Sequence, residues 1–221
     1  MKVFGNKIYE KNFKNNWGGK YPSEEVIRFY NYVKNITNRK LIGLDIGCGR
    51  GACAWFMAKE GMLVTAFDGA PSGLNKVNTL AKNFGINKKI ETIHGDITKP
   101  LKYINKKYDL MIDSYSLYSN INNHVIRGFE EYFQILKPKG FFLNCCFGKK
   151  TSGFIKGKKI NNNSCTVSKG KLNTGGLQSF YTKNELFSIY KNIGYKIIYY
   201  ENILENRDGD FVEKHITYLT K

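Results

Sequence analysis

The sequence predicts an α/β fold with a doubly wound, mostly parallel sheet of seven strands, one antiparallel strand at its C-terminal end, and helices on both faces. Apolar runs of strand length alternate with amphipathic stretches of helix length. A glycine-rich turn follows the first of these runs. Near the C-terminus, two further strand-like runs are joined by a turn containing Asp208-Gly209, which favours antiparallel pairing.

The first five strands are short apolar runs bounded by glycine, aspartate or lysine. They are predicted over residues 41–46, 62–67, 89–94, 109–113 and 140–147. The amphipathic stretches between them predict helices over residues 52–60, 72–84 and 122–136. The last helix should end at Lys137-Pro138-Lys139-Gly140, because proline and glycine stop helical propagation.

Further elements are predicted at both ends of the chain. Ser23 is placed to cap a helix that runs to about residue 34, with acids in its first turn. Thr182-x-x-Glu185 predicts a capping box that opens a helix to Asn192. Two strands, over residues 195–202 and 211–219, then follow.

Composition narrows the class of protein. A chain of 221 residues suits one α/β domain. No apolar run approaches the roughly twenty residues of a membrane span, and the Lys- and Asn-rich N-terminus does not resemble a secretory signal, so we expect a cytoplasmic protein without membrane partners. The five cysteines form no C-x-x-C pair, which argues against a disulfide framework or a metal site. The net charge of +17 would attract anionic partners.

The glycine-rich turn is the first place to look for a ligand, because open α/β sheets bind ligands beyond the carboxyl ends of their strands. It reads Asp45-x-Gly47-Cys48-Gly49-x-Gly51. The spacing also satisfies a relaxed dinucleotide fingerprint, G-x-G-x-x-A. However, a carboxylate at Asp45 would repel a pyrophosphate, whereas it could accept hydrogen bonds from an ammonium group such as that of a methionine moiety. The sign of the charge favours S-adenosylmethionine over a dinucleotide.

The turn resembles motif I of the class I S-adenosylmethionine-dependent methyltransferases, and the resemblance extends over nearly the whole chain. It implies a Rossmann-like fold, methyltransferase activity and S-adenosylmethionine as cofactor. It also implies that Asp68, followed by Gly69, holds the ribose hydroxyls, that Asp96 lies beside the adenine amine, and that Ile97 contacts the base. The resemblance also implies cofactor contacts for residues of the turn itself, which are Asp45, Gly47, Cys48, Gly49 and Gly51.

Two further segments resemble parts of small-molecule members of this family. The run Asp113-Ser114-Tyr115-Ser116-Leu117-Tyr118 resembles the segment between cofactor and acceptor, which implies cofactor contacts for Asp113, Ser114 and Leu117. Trp17 and Tyr21 resemble the N-terminal arm that closes over the sulfonium end, although both could equally be surface or core aromatics. The chain then divides into an arm (1–39), a cofactor-binding half (40–147), an acceptor-side segment (148–181) and a C-terminal helix and hairpin (182–221).

The catalytic step needs an acceptor held in line with the sulfonium methyl group, and a hydroxyl acceptor also needs a base. His124 is the first candidate by sequence position, with Tyr115 and Tyr118 as alternatives. All three could instead be packing or helix-start residues.

The acceptor is narrowed mainly by missing motifs. The fourth strand lacks an Asn-Pro-Pro-Tyr or Asp-Pro-Pro-Tyr element, and no Pro-Cys pair is present. We therefore expect a small-molecule acceptor, with an anionic or sugar-derived metabolite as one option, and a monomer or homodimer. An RNA methyltransferase or RNA-binding protein stays open but is less favoured, as does a cofactor-binding relative without catalysis.

The segment 148–181 is too long for a simple connection and is expected to cover the acceptor. It is basic between residues 149 and 171, where no acid occurs. It could select a phosphorylated or carboxylated molecule, or it could be a solvated surface. Its lysines are Lys149, Lys150, Lys156, Lys158, Lys159, Lys169 and Lys171.

Overall fold

The computed structural model describes residues 5–97, 99, 101, 104–167 and 176–221. The strands are β1 (Ile42–Ile46), β2 (Leu63–Asp68), β3 (Ile90–His94), β4 (Tyr108–Ser114), β5 (Leu136–Phe147), β6 (Lys158–Lys159), β7 (Ser164–Thr166), β8 (Leu177–Ser179), β9 (Lys196–Arg207) and β10 (Asp210–Thr220). The α-helices are α1 (Gly5–Lys14), α2 (Glu24–Ile36), α3 (Ala52–Lys59), α4 (Pro71–Asn83), α5 (Asn122–Ile135), α6 (Ser152–Ile155) and α7 (Lys183–Ile193).

Seven strands form the main sheet in the order β3-β2-β1-β4-β5-β10-β9. The pairs β1/β2, β2/β3, β1/β4 and β4/β5 are parallel, and β10 runs antiparallel to both β5 and β9. The predicted fold class is therefore confirmed. The strand order reverses between β1 and β4, where a doubly wound sheet leaves a crevice at its carboxyl edge.

The central strands are buried on both faces because helices cover the sheet from each side. Along β4, Leu110 and Ile112 join a cluster with residues of α2, α3 and α4, whereas Met111 packs in a second cluster with residues of α5 and α7. This alternation follows from the two-residue period of a strand. It holds the tip of β4, with Ser114, in a fixed position beside β1.

The predicted turn at residues 137–140 is wrong in one respect: it is an irregularity inside β5 and not a loop before it. Strand β5 already pairs with β4 at Leu136, and the register shifts before Phe141. Pro138 has no N–H to donate to the ladder. Lys139 adopts a left-handed φ of 59°, so the chain leaves and rejoins the sheet within a few residues.

The C-terminal hairpin is longer than predicted, but its turn lies at the predicted place. Asp208 and Gly209 have φ values of 53° and 85°, the left-handed pair that a two-residue hairpin turn requires. The capping box of α7 is also present, because the Thr182 hydroxyl accepts from the Glu185 N–H at 3.3 Å while Glu185 accepts from the Thr182 N–H at 2.7 Å. Ser23 stands at the N-cap of α2, yet its side chain makes no capping hydrogen bond.

Two parts of the fold were not predicted. Helix α1 precedes α2, and the segment 148–181 contains α6 and a small antiparallel sheet in the order β6-β7-β8. The segment expected to cover the acceptor therefore contains regular secondary structure in its described part. Lys169 and Lys171 lie outside the described residues.

The helices are short. The longest, α5, has 14 residues, against the roughly twenty that a bilayer requires. Within the ranges that the structure describes, none of the helices has both the length and the apolar character of a membrane span.

Candidate functional site

A cavity of about 570 Å³ opens at the carboxyl edge of the main sheet. Small-molecule sites commonly have volumes of roughly 300–1,000 Å³. The lining follows the order of the strands, with Asp96 and Ile97 beyond β3, Phe67, Asp68 and Gly69 at β2, Asp45, Gly47, Cys48 and Gly49 at β1, Ser114, Tyr115, Ser116 and Tyr118 at β4, Phe147 on β5, Lys214 on β10, and Arg207 on β9. The crevice predicted at the strand reversal is thus a real cavity.

The glycine turn between β1 and α3 forms the floor of this cavity. Gly47 has a left-handed φ of 63°, and a Cβ atom at this position would lie 2.3 Å from the Ser116 Cβ. The Cys48 N–H donates to the Phe67 carbonyl at 3.0 Å, which ties the turn to β2. Only glycine allows the turn to lie this close to the segment after β4.

Asp45 places a buried carboxylate at the start of the turn. Its side chain is 2% exposed, and its Oδ2 accepts from the Ala54 N–H, in the first turn of α3, at 2.8 Å. The pKa of Asp45 is raised to about 7, chiefly by burial and in addition by the carboxylates of Asp68 and Asp113, while the Ala54 N–H acts in the opposite direction. A ligand cation would relieve this unfavourable burial of negative charge.

Asp68 ends β2 and lies across the turn from Asp45. Its Oδ2 accepts from the Gly49 N–H at 2.8 Å, and its Oδ1 accepts from the Ala70 N–H at 2.7 Å. Burial raises the pKa of Asp68, against the lowering effect of these N–H donors. Among the described residues, no lysine or arginine forms an ion pair with Asp45 or Asp68.

Helix α1 and the turn after it cover the cavity from outside. Tyr9, Phe13 and Trp17 form an aromatic cluster. The ring centroid of Trp17 lies 5.9 Å from that of Tyr9 and 5.9 Å from that of Phe13. All three line the cavity, as does Tyr21, which is 64% exposed. Trp17 and Tyr21 therefore both line the cavity, and their contact with a cofactor stays a prediction.

Polar contacts hold this N-terminal segment against the rest of the fold. The Tyr9 hydroxyl lies 2.7 Å from the Ser119 Oγ, and the Ser72 N–H donates to Glu10 at 2.9 Å. Arg50, in the glycine turn, donates to the carbonyls of Asn16 at 2.6 Å and Gly18 at 3.2 Å. The segment is thus fastened to both sides of the cavity.

The turn after β4 carries the pair Tyr115 and Glu25. Tyr115 has a left-handed φ of 61°, which is unusual for a bulky residue and is found mainly where function requires it. Its hydroxyl donates to Glu25 Oε1, on α2, at 2.9 Å. Burial raises the pKa of Tyr115, so this phenol keeps its proton. Glu25 is 8% exposed and also lines the cavity.

Asp113 and Leu117 are corrected from cofactor contacts to structural residues. Asp113 is fully buried and accepts from the N–H groups of Ser116 at 2.9 Å and Leu117 at 3.2 Å. Asn144 donates to its second oxygen at 3.1 Å. Leu117 packs into the core, where its side chain leaves no room for a Cβ at Gly128. Neither residue lines the cavity, because the turn after β4 directs both inward.

Gly51 and His124 are two further corrections. Gly51 caps α3 with φ 86°, and a Cβ there would meet Val77 at 2.7 Å, so it faces α4 and not the cavity. His124 lies in the first turn of α5, whose first N–H donates to the Ser164 Oγ of the small sheet. This hydrogen bond ties the helix start to β7. His124 is not among the described residues that line the cavity, whereas Tyr115 and Tyr118 are.

Several lining residues were missed by the sequence analysis. Glu25 appeared only as an acid in the first turn of a helix, and α1 was not predicted at all. Lys214 and Arg207 lie on strands whose positions in the sheet depend on tertiary structure. The missed lining residues of interest are Tyr9, Phe13, Glu25, Arg50, Ser116, Phe147, Arg207 and Lys214.

Residues 44–140 match the family described as methyltransferase domain. A demethylmenaquinone methyltransferase from Leptospira interrogans is 27% identical over 126 residues, which are 56% of this chain and 50% of that protein. A ubiquinone biosynthesis O-methyltransferase from Rickettsia canadensis is 29% identical over 139 residues, covering 62% of this chain and 53% of that protein. The chain therefore spans about half the length of these curated relatives.

Solved structures with the same fold also exist. A SAM-dependent methyltransferase from Methanosarcina mazei has a TM-score of 0.70 and 20% sequence identity to this chain. The superposition covers 87% of this chain and 97% of that one. At this level of identity the likeness concerns the fold.

Proposed function

We propose that this chain, whose residues 44–140 match a methyltransferase domain, binds S-adenosylmethionine and transfers its methyl group to a small-molecule acceptor. The family resemblance of the glycine turn is confirmed by the match over these residues. The proposal for the whole chain depends on one observation. Two buried carboxylates, Asp45 and Asp68, line one cavity on either side of a glycine turn, and neither forms an ion pair with a lysine or arginine that the structure describes.

The donor set of the cavity fits this cofactor. An ammonium group and a ribose diol are hydrogen-bond donors, and carboxylates are the acceptors that suit them. We assign the ammonium group to Asp45 and the ribose hydroxyls to Asp68, with Asp96 and Ile97 at the adenine. A pyrophosphate would bring more negative charge toward carboxylates that are already costly to bury.

When bound, S-adenosylmethionine supplies an electrophilic methyl group on a sulfonium, and its departure leaves neutral S-adenosylhomocysteine. The chain has to position the acceptor and exclude water. Tyr9, Phe13 and Trp17 cover the cavity and would exclude solvent from the reacting atoms.

Glu25 is our candidate for the base that takes a proton from a hydroxyl acceptor. It lines the cavity and receives the Tyr115 hydrogen bond on one oxygen, which orients the carboxylate. Tyr115 keeps its own proton and is therefore a positioning residue, as Tyr118 is, because burial raises the pKa of both phenols. His124 is not proposed, since it lies away from the lining.

Replacing Glu25 by Gln should lower kcat for a hydroxyl acceptor by about 100-fold or more, the usual contribution of a general base. Affinity for S-adenosylhomocysteine, measured by calorimetry, should not change. Glu24→Gln is the matched control, because Glu24 is the neighbouring acid and its side chain is 83% exposed. Equal kcat in the two variants would remove Glu25 as the base, and weaker product binding in Glu25→Gln would move it to the cofactor.

Cofactor affinity should depend on pH through Asp45. In the free protein this carboxyl has a pKa of about 7, so it is largely protonated below that pH. A bound ammonium group would lower the pKa. Binding of S-adenosylhomocysteine should therefore strengthen as the pH rises from 5.5 to 7.5 and should release protons at pH 6.5. Titration calorimetry in two buffers of different ionisation enthalpy measures that release. Proton uptake, or none, would contradict the assignment.

A labelling experiment tests the reaction itself. The protein is incubated with S-adenosylmethionine labelled in the methyl group, together with either the small-molecule fraction or the RNA fraction of a cell extract. We expect label in a small molecule of the first fraction. In the RNA fraction, the label should not exceed the amount obtained with the Asp45→Asn variant. Cofactor binding without label in either fraction would favour a non-catalytic relative.

RNA is the second candidate because of two charge observations. The chain carries a net charge of +17. A second groove of about 630 Å³, lined by Lys14, Lys20, Arg50 and Lys76 together with Glu10, adjoins the N-terminal segment. Such a surface can contact phosphates, but surface charge alone does not choose a substrate. Label in the RNA fraction would decide for this alternative.

A further inference from the structure

Three aspartates and two cationic residues of the cavity lie at different places along the sheet, and the other charged residues described in its lining are Arg50 in the glycine turn and Glu25 on α2. Asp96, Asp68 and Asp45 stand at the ends of β3, β2 and β1, whereas Lys214 and Arg207 line the cavity from β10 and β9. From β1 to β10 there are three strand spacings, roughly 14 Å at about 4.8 Å each. The cavity therefore has an acidic end, which the proposed cofactor would occupy, and a separate cationic end.

Aromatic side chains form the wall between the two ends. The rings of Tyr115 and Phe147 are stacked, with centroids 4.7 Å apart and an interplanar angle of 22°. Tyr118 meets Phe147 edge-on at 4.8 Å. All three residues line the cavity. Such a wall favours a flat, apolar ligand, because aromatic rings gain from offset stacking or edge contacts.

Lys214 is fixed at the cationic end by its neighbours. It is the register partner of Phe147 across the β5/β10 pair, and its side chain is 17% exposed. Glu205 on β9 pairs with both Lys214 and Arg207. Glu205 thus holds the two cations together, one carboxylate against two positive charges in this group of three described residues. Lys214 and Arg207 both line the cavity, whereas Glu205 is not among its described lining residues.

We infer that the acceptor is a planar aromatic molecule bearing an acidic group, with its ring against Tyr115 and Phe147 and its carboxylate or phosphate on Lys214 and Arg207. This inference rests on the proposed function, since the acidic end must be taken by the cofactor for the acceptor to use the other. It gives the methyl-accepting atom a place on the ring, between the two ends of the cavity. A neutral sugar would leave Lys214 and Arg207 without a ligand partner.

Three probes test the inference by calorimetry on the full chain, with and without saturating S-adenosylhomocysteine. They are 1-hydroxy-2-naphthoate, its neutral analogue 1-hydroxy-2-naphthamide, and cyclohexanecarboxylate, which is acidic but not planar. The naphthoate should bind about tenfold more tightly than the amide, because it adds a charge-assisted hydrogen bond. It should also bind more tightly than cyclohexanecarboxylate, because only the naphthoate has a planar ring to place against Tyr115 and Phe147. Lys214→Met should reduce its affinity to that of the amide. Lys191→Met, which removes a lysine from α7, should leave the affinity for the naphthoate unchanged.

The outcomes separate the two proposals. Equal affinities for the three probes, or a preference that survives in Lys214→Met, would overturn the inference even if S-adenosylhomocysteine binds normally. Failure of S-adenosylhomocysteine to bind would instead refute the proposed function. In that case a naphthoate preference that depends on Lys214 would still establish the cationic end as an anion site.

Discussion

Replacing Asp45 by Asn is expected to weaken S-adenosylhomocysteine binding by about 100-fold, since a hydrogen bond between buried charged groups contributes up to roughly 3 kcal/mol. Asparagine keeps an oxygen that can accept from the Ala54 N–H, so the start of α3 should be undisturbed. What is lost is the negative charge opposite the ammonium group. Titration calorimetry at pH 8 measures the effect.

The same substitution should make the cofactor-free protein more stable at pH 8. The pKa of Asp45 is raised to about 7 in the folded chain, whereas an unfolded aspartate has a value of roughly 3.9. The folded state then binds more protons between these values, so stability falls as the pH rises from about 4 to about 7. Because an asparagine carries no charge to bury, the melting temperature of the Asp45→Asn variant should exceed that of the wild type at pH 8.

Asp109→Asn is the matched control with the opposite pattern. Asp109 is also buried, but it lies at the start of β4, where it accepts from the Ile42 N–H at 3.0 Å and pairs with Lys137 at 2.8 Å. Its substitution should lower the melting temperature and leave cofactor affinity unchanged. Normal binding by Asp45→Asn, or equal losses of binding in both variants, would contradict the role given to Asp45.

Gly47→Ala should lower the free energy of unfolding by about 3 kcal/mol and abolish cofactor binding. The left-handed conformation costs an alanine about 1–2 kcal/mol, and overpacking typically costs about 1–3 kcal/mol. The new Cβ would lie 2.3 Å from the Ser116 Cβ and displace that side chain. Ser116 would then lose its bonds to Asp113 at 2.6 Å and to the Ile46 carbonyl at 2.8 Å. Urea denaturation and calorimetry provide the two readouts.

Gly85→Ala separates crowding from backbone strain. Gly85 has φ +65°, close to the +63° of Gly47, but a Cβ atom added at Gly85 would have no heavy atom within 4 Å. The variant should lose about 1 kcal/mol of stability and keep its cofactor affinity. If Gly47→Ala were no worse than Gly85→Ala, the close approach of the two turns would not matter.

Much of the fold could be predicted because its patterns are local. The buried runs of β1, β2 and β4, the Thr182 capping box and the Asp208-Gly209 turn each depend on residues adjacent in the chain. Helix α1 and the small sheet could not be predicted in this way. Phe13 gains its burial by packing against Gly49 and Gly73, and Ser164 gains its burial and hydrogen bonds from Ser179 and Asn122.

The candidate site divides in the same manner. Asp45 and Asp68 lie at the carboxyl ends of β1 and β2, and Asp96 lies two residues beyond β3, so the topology of a parallel sheet brings them to one edge. Glu25, Lys214 and Arg207 reach the cavity from a helix and two strands whose placement depends on packing over long sequence distances. His124 is an error of the opposite kind, because it was predicted for the site and is not among the described residues of the lining.

The central claim is that the buried carboxylates of this cavity bind a positively charged nucleoside. Its most direct test is calorimetric titration of the wild-type chain at pH 8 with S-adenosylmethionine and, separately, with NAD⁺. We predict one-to-one binding of S-adenosylmethionine and no detectable heat with NAD⁺. Binding of NAD⁺, or an affinity for S-adenosylmethionine no better than that of Asp45→Asn, would contradict the account.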